Sequence, residues 1–242
     1  MHISFSAMVE VSPFNTATSI DRCTLLELIA RVLPSAQPAS WHRLLDTARV
    51  KTFAKGDLLS HQGGSFEATI ILRGIAGFRR TTLAGQQILV GTAEPGDLFG
   101  ITSIAAVRSS VSIVALTDCE VAVWPGAVLR RLAGEDAGVA LDIIDRLSVS
   151  LAILTEKVDG FLHQDARRRV IRILARHQNL FFGQPPILSR GLLPELIGTT
   201  REQTGRVLRD LEREGIVERV GRTGLRVLRP DQLAAEPLPS LD

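Results

Sequence analysis

The amino-acid sequence predicts an α+β protein with an N-terminal double-stranded β-helix (jelly roll), one long helix and a C-terminal winged helix-turn-helix. From residue 50 to 124, short β-type segments alternate with glycine turns about every 8–12 residues, which is typical of an antiparallel roll. After Ala133 the apolar residues take the spacing of a long helix, and the last third follows the order helix, turn, helix, hairpin. We therefore expect a roll domain at 1–135, a long helix at 136–162 and a winged helix-turn-helix domain at 163–242.

The bulk composition is that of an ordinary globular protein. The 242 residues allow two modest domains, and 45% of them are hydrophobic and 22% charged. The N-terminus has neither a basic head nor a sustained apolar core, and no apolar run approaches the roughly 20 residues that cross a bilayer. Cys23 and Cys119 follow no metal-binding or disulfide pattern, so we expect reduced thiols in a cytoplasmic protein without membrane contact.

Charge is distributed unevenly along the chain. Residues 1–161 carry 14 Lys and Arg against 16 Asp and Glu, whereas residues 162–230 carry 14 Arg and no Lys against seven acidic residues. A basic third attached to a nearly neutral remainder favours a domain that binds a polyanion such as nucleic acid.

The predicted roll begins with two short helices, which we expect at Thr24–Leu33 and Ser40–Ala48, where they would cover one end of the sheets. Strand-like runs follow at 68–72, 88–90 and 111–117, and glycine turns separate them. This order predicts helices first and antiparallel strands second.

Six apolar residues of the predicted long helix are spaced alternately three and four residues apart. We call them the heptad stripe: Ile144, Leu147, Leu151, Leu154, Val158 and Phe161. So regular a stripe on a helix of about 25 residues predicts packing against another element. One interpretation is a parallel coiled coil across the axis of a homodimer, and the other is packing of the helix on its own roll.

The C-terminal third contains a helix-turn-helix pattern centred on Gly198. An amphipathic helix is predicted at Asp165–Leu180, and two β-like runs, 216–220 and 225–228, follow the pattern as a wing. Glycine adopts the left-handed backbone of the tight turn without steric cost, and Thr199 or Thr200 is a suitable N-cap for the second helix.

The exposed face of that second helix is predicted to carry Arg201, Glu202, Gln203 and Arg206. Arginine donates two hydrogen bonds to guanine O6 and N7, and a glutamate accepts one from cytosine N4. The pattern therefore predicts contact with DNA bases. The alternative is a solvated charged face stabilised by pairing between residues four apart.

These residues resemble the helix-turn-helix of the Crp/Fnr superfamily, whose cyclic-AMP-responsive branch carries R-E-x-x-x-R at this place. The similarity covers roughly residues 50–228 and includes Thr155-Glu156-Lys157-Val158, Cys119-Glu120-Val121-Ala122 and Gly96-Asp97-Leu98-Phe99-Gly100. The resemblance implies a dimeric, non-enzymatic transcription regulator that binds an inverted repeat in double-stranded DNA and works with RNA polymerase.

The resemblance also implies that Arg190 and Thr200 contact phosphates and that Arg201, Glu202 and Arg206 contact bases. The chain departs from the family at Pro194, which stands where a small residue is usual. Proline is tolerated in a first helical turn, so we expect the first helix to begin near Pro194 and to be short.

The effector positions implied by the resemblance differ from the cyclic-nucleotide pattern. They are Gly100, Ile101, Arg108, Ser109, Leu154 and Thr155. Ile101 stands where a glutamate holds the ribose, Leu154 replaces the threonine of a Thr-Ser pair, and Arg108-Ser109 is one residue early. On a strand, such a shift turns a side chain to the opposite face. We therefore expect cyclic AMP to bind weakly or not at all.

Other cofactors and function classes fit the sequence less well. An iron–sulfur cluster needs about four cysteines, and the chain has two. A cupin-type metal site or enzyme needs several histidines on roll strands, where only His61 falls, and no nucleophile–base set is visible. A haem-based gas sensor stays open, since one of the histidines His2, His42, His61, His163 or His177 is enough to ligate iron. A nucleotide-binding module of a kinase or channel would not carry the winged helix-turn-helix.

Overall fold

A computed structural model of the chain describes residues 20–83, 85, 87–163, 165–183 and 186–233. It consists of two compact units, one formed by the described residues up to Phe78 with Thr92–Ile144, and the other by Arg79–Gly91 with the described residues from Asp145 onward. The α+β class is confirmed. No helix in the described part is both long and apolar enough to span a bilayer. The domain limits at residues 135 and 162 stay a prediction.

Two helices open the described chain, as predicted. Helix α1 spans Arg22–Val32 and is capped by Asp21, whose carboxylate accepts from Thr24 N at 2.7 Å. Helix α2 spans Pro38–Thr47 and begins with its proline, whose missing N–H would have no helical partner there. Both bury an apolar face in the first unit.

Eight short strands form the roll, in two four-stranded sheets ordered β1-β8-β3-β6 and β2-β7-β4-β5. Their bounds are Arg49–Phe53 (β1), Leu58–Ser60 (β2), Ala68–Arg73 (β3), Ala76–Thr81 (β4), Gln87–Ala93 (β5), Leu98–Phe99 (β6), Ser112–Ala115 (β7) and Cys119–Trp124 (β8). All six residues of β8 are buried, because the strand has helices on one face and the other sheet on the other. The indole N–H of Trp124 donates to Leu44 O at 2.8 Å and so joins the strand to α2.

Helices α3 (Gly126–Glu135) and α4 (Ala137–His163) follow the roll, and Asp136 lies between them. Its carboxylate accepts from the Ser40 hydroxyl at 2.7 Å, from Gln37 N at 2.8 Å and from Gly138 N at 2.9 Å. Six residues further along the chain, within α4, Asp142 accepts from Ser35 N at 3.0 Å. These bonds join the start of α4 to the α1–α2 connection.

A glycine is required at position 138 because the α1–α2 connection approaches α4 closely. A Cβ there would lie 1.9 Å from the Ser35 carbonyl oxygen, far inside van der Waals contact. The Ser40 hydroxyl and the N–H groups of Gln37 and Gly138 lower the pKa of Asp136, since they stabilise its ionised form.

The second unit contains the C-terminal elements α5 (Ala166–Arg176), α6 (Gln178–Phe182), α7 (Leu193–Ile197), α8 (Arg201–Arg213), β9 (Val217–Val220) and β10 (Gly224–Val227). The single helix predicted at Asp165–Leu180 is wrong in one respect. His177 has non-helical dihedral angles and divides it into α5 and α6, and its N–H closes α5 on Ile173 O. Because Leu180 and Phe181 are buried, the apolar pattern continues across the break and conceals it.

Replacing Asp136 by Asn should lower the free energy of unfolding at pH 7 by about 1–3 kcal/mol, because buried donors lose their charged acceptor. The pKa of Asp136 is lower in the folded protein than the value near 3.9 of the unfolded chain. The stabilisation is therefore complete above about pH 4 and is lost as the pH falls through the folded-state pKa. Urea unfolding of the wild type and of Asp136→Asn should show that the difference between their unfolding free energies shrinks from pH 7 to pH 3.

The matched control is Glu27→Gln, which removes an exposed carboxylate from α1. It should change the unfolding free energy little at any pH. A constant deficit of Asp136→Asn across the whole pH range would contradict the role of the ionised carboxylate.

Candidate nucleic-acid interface

The turn between α7 and α8 has the predicted geometry. Gly198 adopts φ 63° and ψ 44°, the left-handed region, and its N–H donates to Pro194 O. Helix α7 has five residues and contains Pro194 in its first turn, so the late and short start predicted from this proline is confirmed. The turn sends the chain directly into α8.

Thr200, not Thr199, caps α8. Its Oγ1 accepts from Gln203 N at 3.1 Å, and its carbonyl accepts from the Thr204 hydroxyl at 3.0 Å. Thr204 is buried, and no sequence pattern marks it because a threonine at that position also fits a solvated face. The cap fixes the first turn of α8, where Arg201 and Glu202 stand.

Apart from Thr204, the buried faces of the two helices are apolar. They consist of Leu193, Leu196 and Ile197 on α7 and Leu208 and Leu211 on α8. Packing of these side chains in the core of the unit leaves the opposite face of α8 in solvent.

The predicted base-reading residues of α8 are all exposed: Arg201, Glu202, Gln203 and Arg206. Arg206 Nη2 lies 3.3 Å from Glu202 Oε1, in side chains that are 68% and 82% exposed. An ion pair so exposed contributes only about 0–1 kcal/mol, so both groups are available to another partner at small cost. The pair is present, as the interpretation of a solvated charged face predicts. It is also weak enough for DNA bases to displace, as the interpretation of base contact requires.

Two stronger ion pairs, which sequence reasoning missed, position α8. Arg167 on α5 donates from both terminal nitrogens to the Glu214 carboxylate, at 2.9 and 2.5 Å. Arg219 on β9 donates to Glu212 at 2.8 Å from Nε and 2.5 Å from Nη2. The arginine partners lower the pKa of both glutamates. Bidentate pairs of this kind fix geometry as well as charge, so they hold the last turn of α8 against α5 and the wing.

Arg190 lies in a short 3-10 turn, Arg190–Leu192, before α7. Its backbone N–H donates to Thr223 O at 2.9 Å, which ties this turn to the tip of the β9–β10 hairpin. Its Nη1 is buried and has no hydrogen-bond partner among the described residues. Arg222 and Arg226 are exposed on the same hairpin, so the wing is basic.

Comparison with known proteins supports the same interpretation of this unit and of the roll. A family model described as a cyclic nucleotide-binding domain matches residues 50–136, and one described as a Crp-like helix-turn-helix domain matches residues 168–236. The cyclic AMP receptor protein of Thermus thermophilus is 30% identical over 173 residues, which are 69% of this chain and 78% of that protein. The chain belongs to the Crp/Fnr family of transcription regulators.

Other relatives agree with this assignment. Vfr of Pseudomonas aeruginosa, a cAMP-activated global transcriptional regulator, is 27% identical over 153 residues, which are 57% of this chain and 70% of Vfr. The structure of FixK2 from Bradyrhizobium japonicum matches with a TM-score of 0.68 and 19% identity, covering 78% of this chain and 99% of FixK2. The c-di-GMP-responsive regulator CLP of Xanthomonas campestris matches with a TM-score of 0.66 and 19% identity, covering 79% and 99%. These two structures show the shared fold.

In this Crp/Fnr regulator, three of the predicted effector residues, Gly100, Arg108 and Ser109, line one cavity of about 280 Å³, which we call the smaller cavity. Phe78 and Phe99 also line it and meet edge to face, with ring centroids 5.2 Å apart. Ile101 is instead buried in the core beneath the helices. Leu154 and Thr155 lie on the exposed face of α4, where the Thr155 hydroxyl donates to Leu151 O at 3.0 Å.

The prediction that Arg108 lies on a strand is wrong. Strand β7 begins at Ser112, so Arg108 precedes it in an irregular segment, where the alternation of a strand does not apply. Arg108 is exposed, and its Nη1 donates to Gly63 O at 2.8 Å. The neighbouring Ser109 hydroxyl donates to Val111 O at 2.6 Å. Both side chains thus satisfy carbonyls of the roll itself.

The heptad stripe lies on the solvent side of α4 in the single chain. Ile144, Leu147, Leu151, Leu154 and Val158 are 39–64% exposed, and Leu141 beside them is exposed as well. At the start of the helix, Val139 and Ile143 are buried. The side chain of Phe161 lies outside the described residues. What the stripe packs against stays a prediction.

Proposed function

We propose that the protein is a homodimer that binds an inverted repeat in double-stranded DNA and regulates transcription in response to an effector other than cyclic AMP. The observation that carries the proposal is the exposed Arg201, Glu202 and Arg206 on a capped helix that follows the Gly198 turn. Contact with RNA polymerase and a cytoplasmic location belong to the same proposal.

In the proposed complex the residues divide into two groups. Arg201 and Arg206 donate to guanine edges and Glu202 accepts from cytosine, with Gln203 beside them, so these residues select sequence. Arg190 and Thr200 contact phosphates and position α8 without selecting sequence.

The proposed dimer is formed by the heptad stripes of two parallel α4 helices. Five large aliphatic side chains in one exposed row are costly in water, and a second copy of the same helix covers them symmetrically. A two-fold protein axis then matches the two-fold axis of an inverted repeat.

The proposed effector is not cyclic AMP because the ribose-binding acid is replaced by the buried Ile101 and because Arg108 is bonded to Gly63 O. A second candidate is a regulator that does respond to a cyclic nucleotide. The match to a cyclic nucleotide-binding family model and the convergence of Gly100, Arg108 and Ser109 on one cavity favour it.

Arg201→Ala should weaken binding to an operator with TGTGA-like half-sites, spanning about two helical turns, by about 1–3 kcal/mol at one guanine. It should also relax the preference for that base, because the lost bonds are specific. Gel-shift titration against operators substituted at each position measures both effects. Arg190→Ala should weaken binding to all DNA sequences alike. It should also reduce the slope of log K against log salt concentration by about one.

The matched control is Arg213→Ala, an arginine about 18 Å further along α8 and already paired with Asp210. It should bind the operator like the wild type. If Arg201→Ala ranked all operator variants as the wild type does, its role in base reading would be refuted.

Leu151→Glu should convert the dimer into monomers that bind the operator weakly, because it places two like charges within an apolar interface. Ser150→Glu is the control, since it adds the same charge about 100° away on the same helix. Sedimentation velocity should show monomers for the first variant and dimers for the second. A dimeric Leu151→Glu protein would mean that the stripe is not the interface.

Millimolar cyclic AMP should change neither the melting temperature nor the operator affinity. A ligand at 100 times its Kd stabilises a folded protein by about 2.7 kcal/mol, which a melting scan detects easily. A cyclic-AMP-dependent rise in melting temperature that Arg108→Ala abolishes would instead establish the second candidate.

A further inference from the structure

Helix α8 contains a glycine, Gly205, well inside its 13 residues. A glycine in the interior of a helix is destabilising, because its backbone loses more conformational freedom on folding than that of any other residue. A glycine at such a place therefore needs a reason in the backbone conformation, in the packing of the protein or in a partner.

The backbone conformation does not explain Gly205. Its φ is not positive, in contrast to that of Gly198 in the turn before the helix. It lies within a continuous α-helix, whose dihedral angles every L-residue adopts. Any side chain is therefore compatible with the backbone at this position.

Packing within the protein does not explain Gly205 either. Beyond its chain neighbours and the backbone of its own helix, a Cβ there would meet only Arg209 Nη1 among the described residues, at 3.7 Å. This is ordinary van der Waals contact with the end of a flexible side chain. Gly138 is different, since a Cβ there would lie 1.9 Å from Ser35 O. An alanine at position 205 thus fits the folded chain without strain.

Gly205 lies among the residues predicted to contact bases. Residues three and four apart are neighbours on a helix surface, so Gly205 adjoins Arg201 and Glu202 on one side and Arg209 on the other. These three residues are exposed, and Gly205 itself is partly exposed. The glycine therefore forms a gap between three long charged side chains, and in this gap a partner can reach the helix backbone.

We propose that Gly205 is a specificity-determining position, at which the backbone of α8 lies directly against base edges in the major groove of the operator. The groove is about 12 Å wide and a helix with its side chains is about 10–12 Å across, so little room is left between them. A missing side chain at the contact lets the helix enter deeply enough for Arg201 and Glu202 to reach the bases. The inference rests on the proposed function, since the operator is the partner.

The chemistry of the gap favours a base edge over a phosphate. Phosphates are bound by charged side chains and free N–H donors. Gly205 has no side chain, and its N–H lies inside the helix, where it bonds to the carbonyl four residues earlier. The gap thus offers close approach and no charge or donor of its own, which serves the base-reading residues around it.

Gly205→Ala tests the proposal because it should move two measurements in opposite directions. The protein without DNA should melt about 2–4 °C higher, since alanine is the better helix former and meets no obstacle. Its affinity for an operator that the wild type selects from randomised DNA should fall about tenfold, because the added methyl group holds the helix away from the bases. Gly205→Leu, with a larger side chain that also suits a helix, should lose about a hundredfold.

The matched control is Gly134→Ala in α3. Gly134 is also an exposed helical glycine, and a Cβ there would meet nothing within 4 Å among the described residues. This variant adds the same methyl group and should bind the operator like the wild type. Non-operator DNA provides a second comparison, because phosphate contacts dominate non-specific binding. Gly205→Ala should keep the wild-type affinity for it.

Three outcomes of gel-shift and melting measurements would overturn the proposal. The first is wild-type operator affinity in Gly205→Ala. The second is an equal loss of affinity for operator and non-operator DNA, which would place the glycine against phosphates. The third is a lower melting temperature of Gly205→Ala, which would mean that the fold itself requires the glycine. A wild type that selects no DNA sequence would refute the proposed function and this inference together, and the selection alone detects that case.

Discussion

The carboxylate of Asp136 is the interaction on which the first unit depends. It joins the N-terminal end of α4 to the start of α2 through three hydrogen bonds, and Gly138 permits the close approach that these bonds need. The junction fixes the first two turns of α4 against the α1–α2 connection, with Val139 and Ile143 buried.

Ion pairs of different strength have different tasks in the second unit. The Arg167–Glu214 and Arg219–Glu212 pairs are bidentate and join separate elements, so breaking them would shift α8 relative to its supports. The Glu202–Arg206 pair is exposed and lies within one helix, so breaking it costs little and moves nothing. Rigid support and a replaceable surface pair are together what a base-reading helix needs, because the bases must displace the pair without disturbing the helix axis.

Features governed by local sequence were predictable, and features governed by distant contacts were not. Gly198, the short helix at Pro194 and the regular stripe follow from backbone sterics and helical period, which neighbouring residues reveal. Asp136 accepts a hydrogen bond from Gln37, which is 99 residues away in the chain, and Glu67 pairs with Lys51 of β1. No local sequence pattern marks either interaction. The placement of Arg108 failed for a related reason. A strand is expected at Arg108, whereas β7 begins only at Ser112 because the preceding segment bonds to the 63–64 turn instead.

That turn bears on the proposed preference for an effector other than cyclic AMP. Gly63 N donates to Ser109 O at 2.7 Å and Ser109 N donates to Gly64 O at 2.9 Å, and the Arg108 guanidinium adds its bond to Gly63 O. A phosphate that recruited Arg108 would have to compete with this carbonyl, and the loss of that bond would subtract from the binding free energy. Arg108 and Ser109 at the rim of the smaller cavity thus bond to carbonyls of the roll itself.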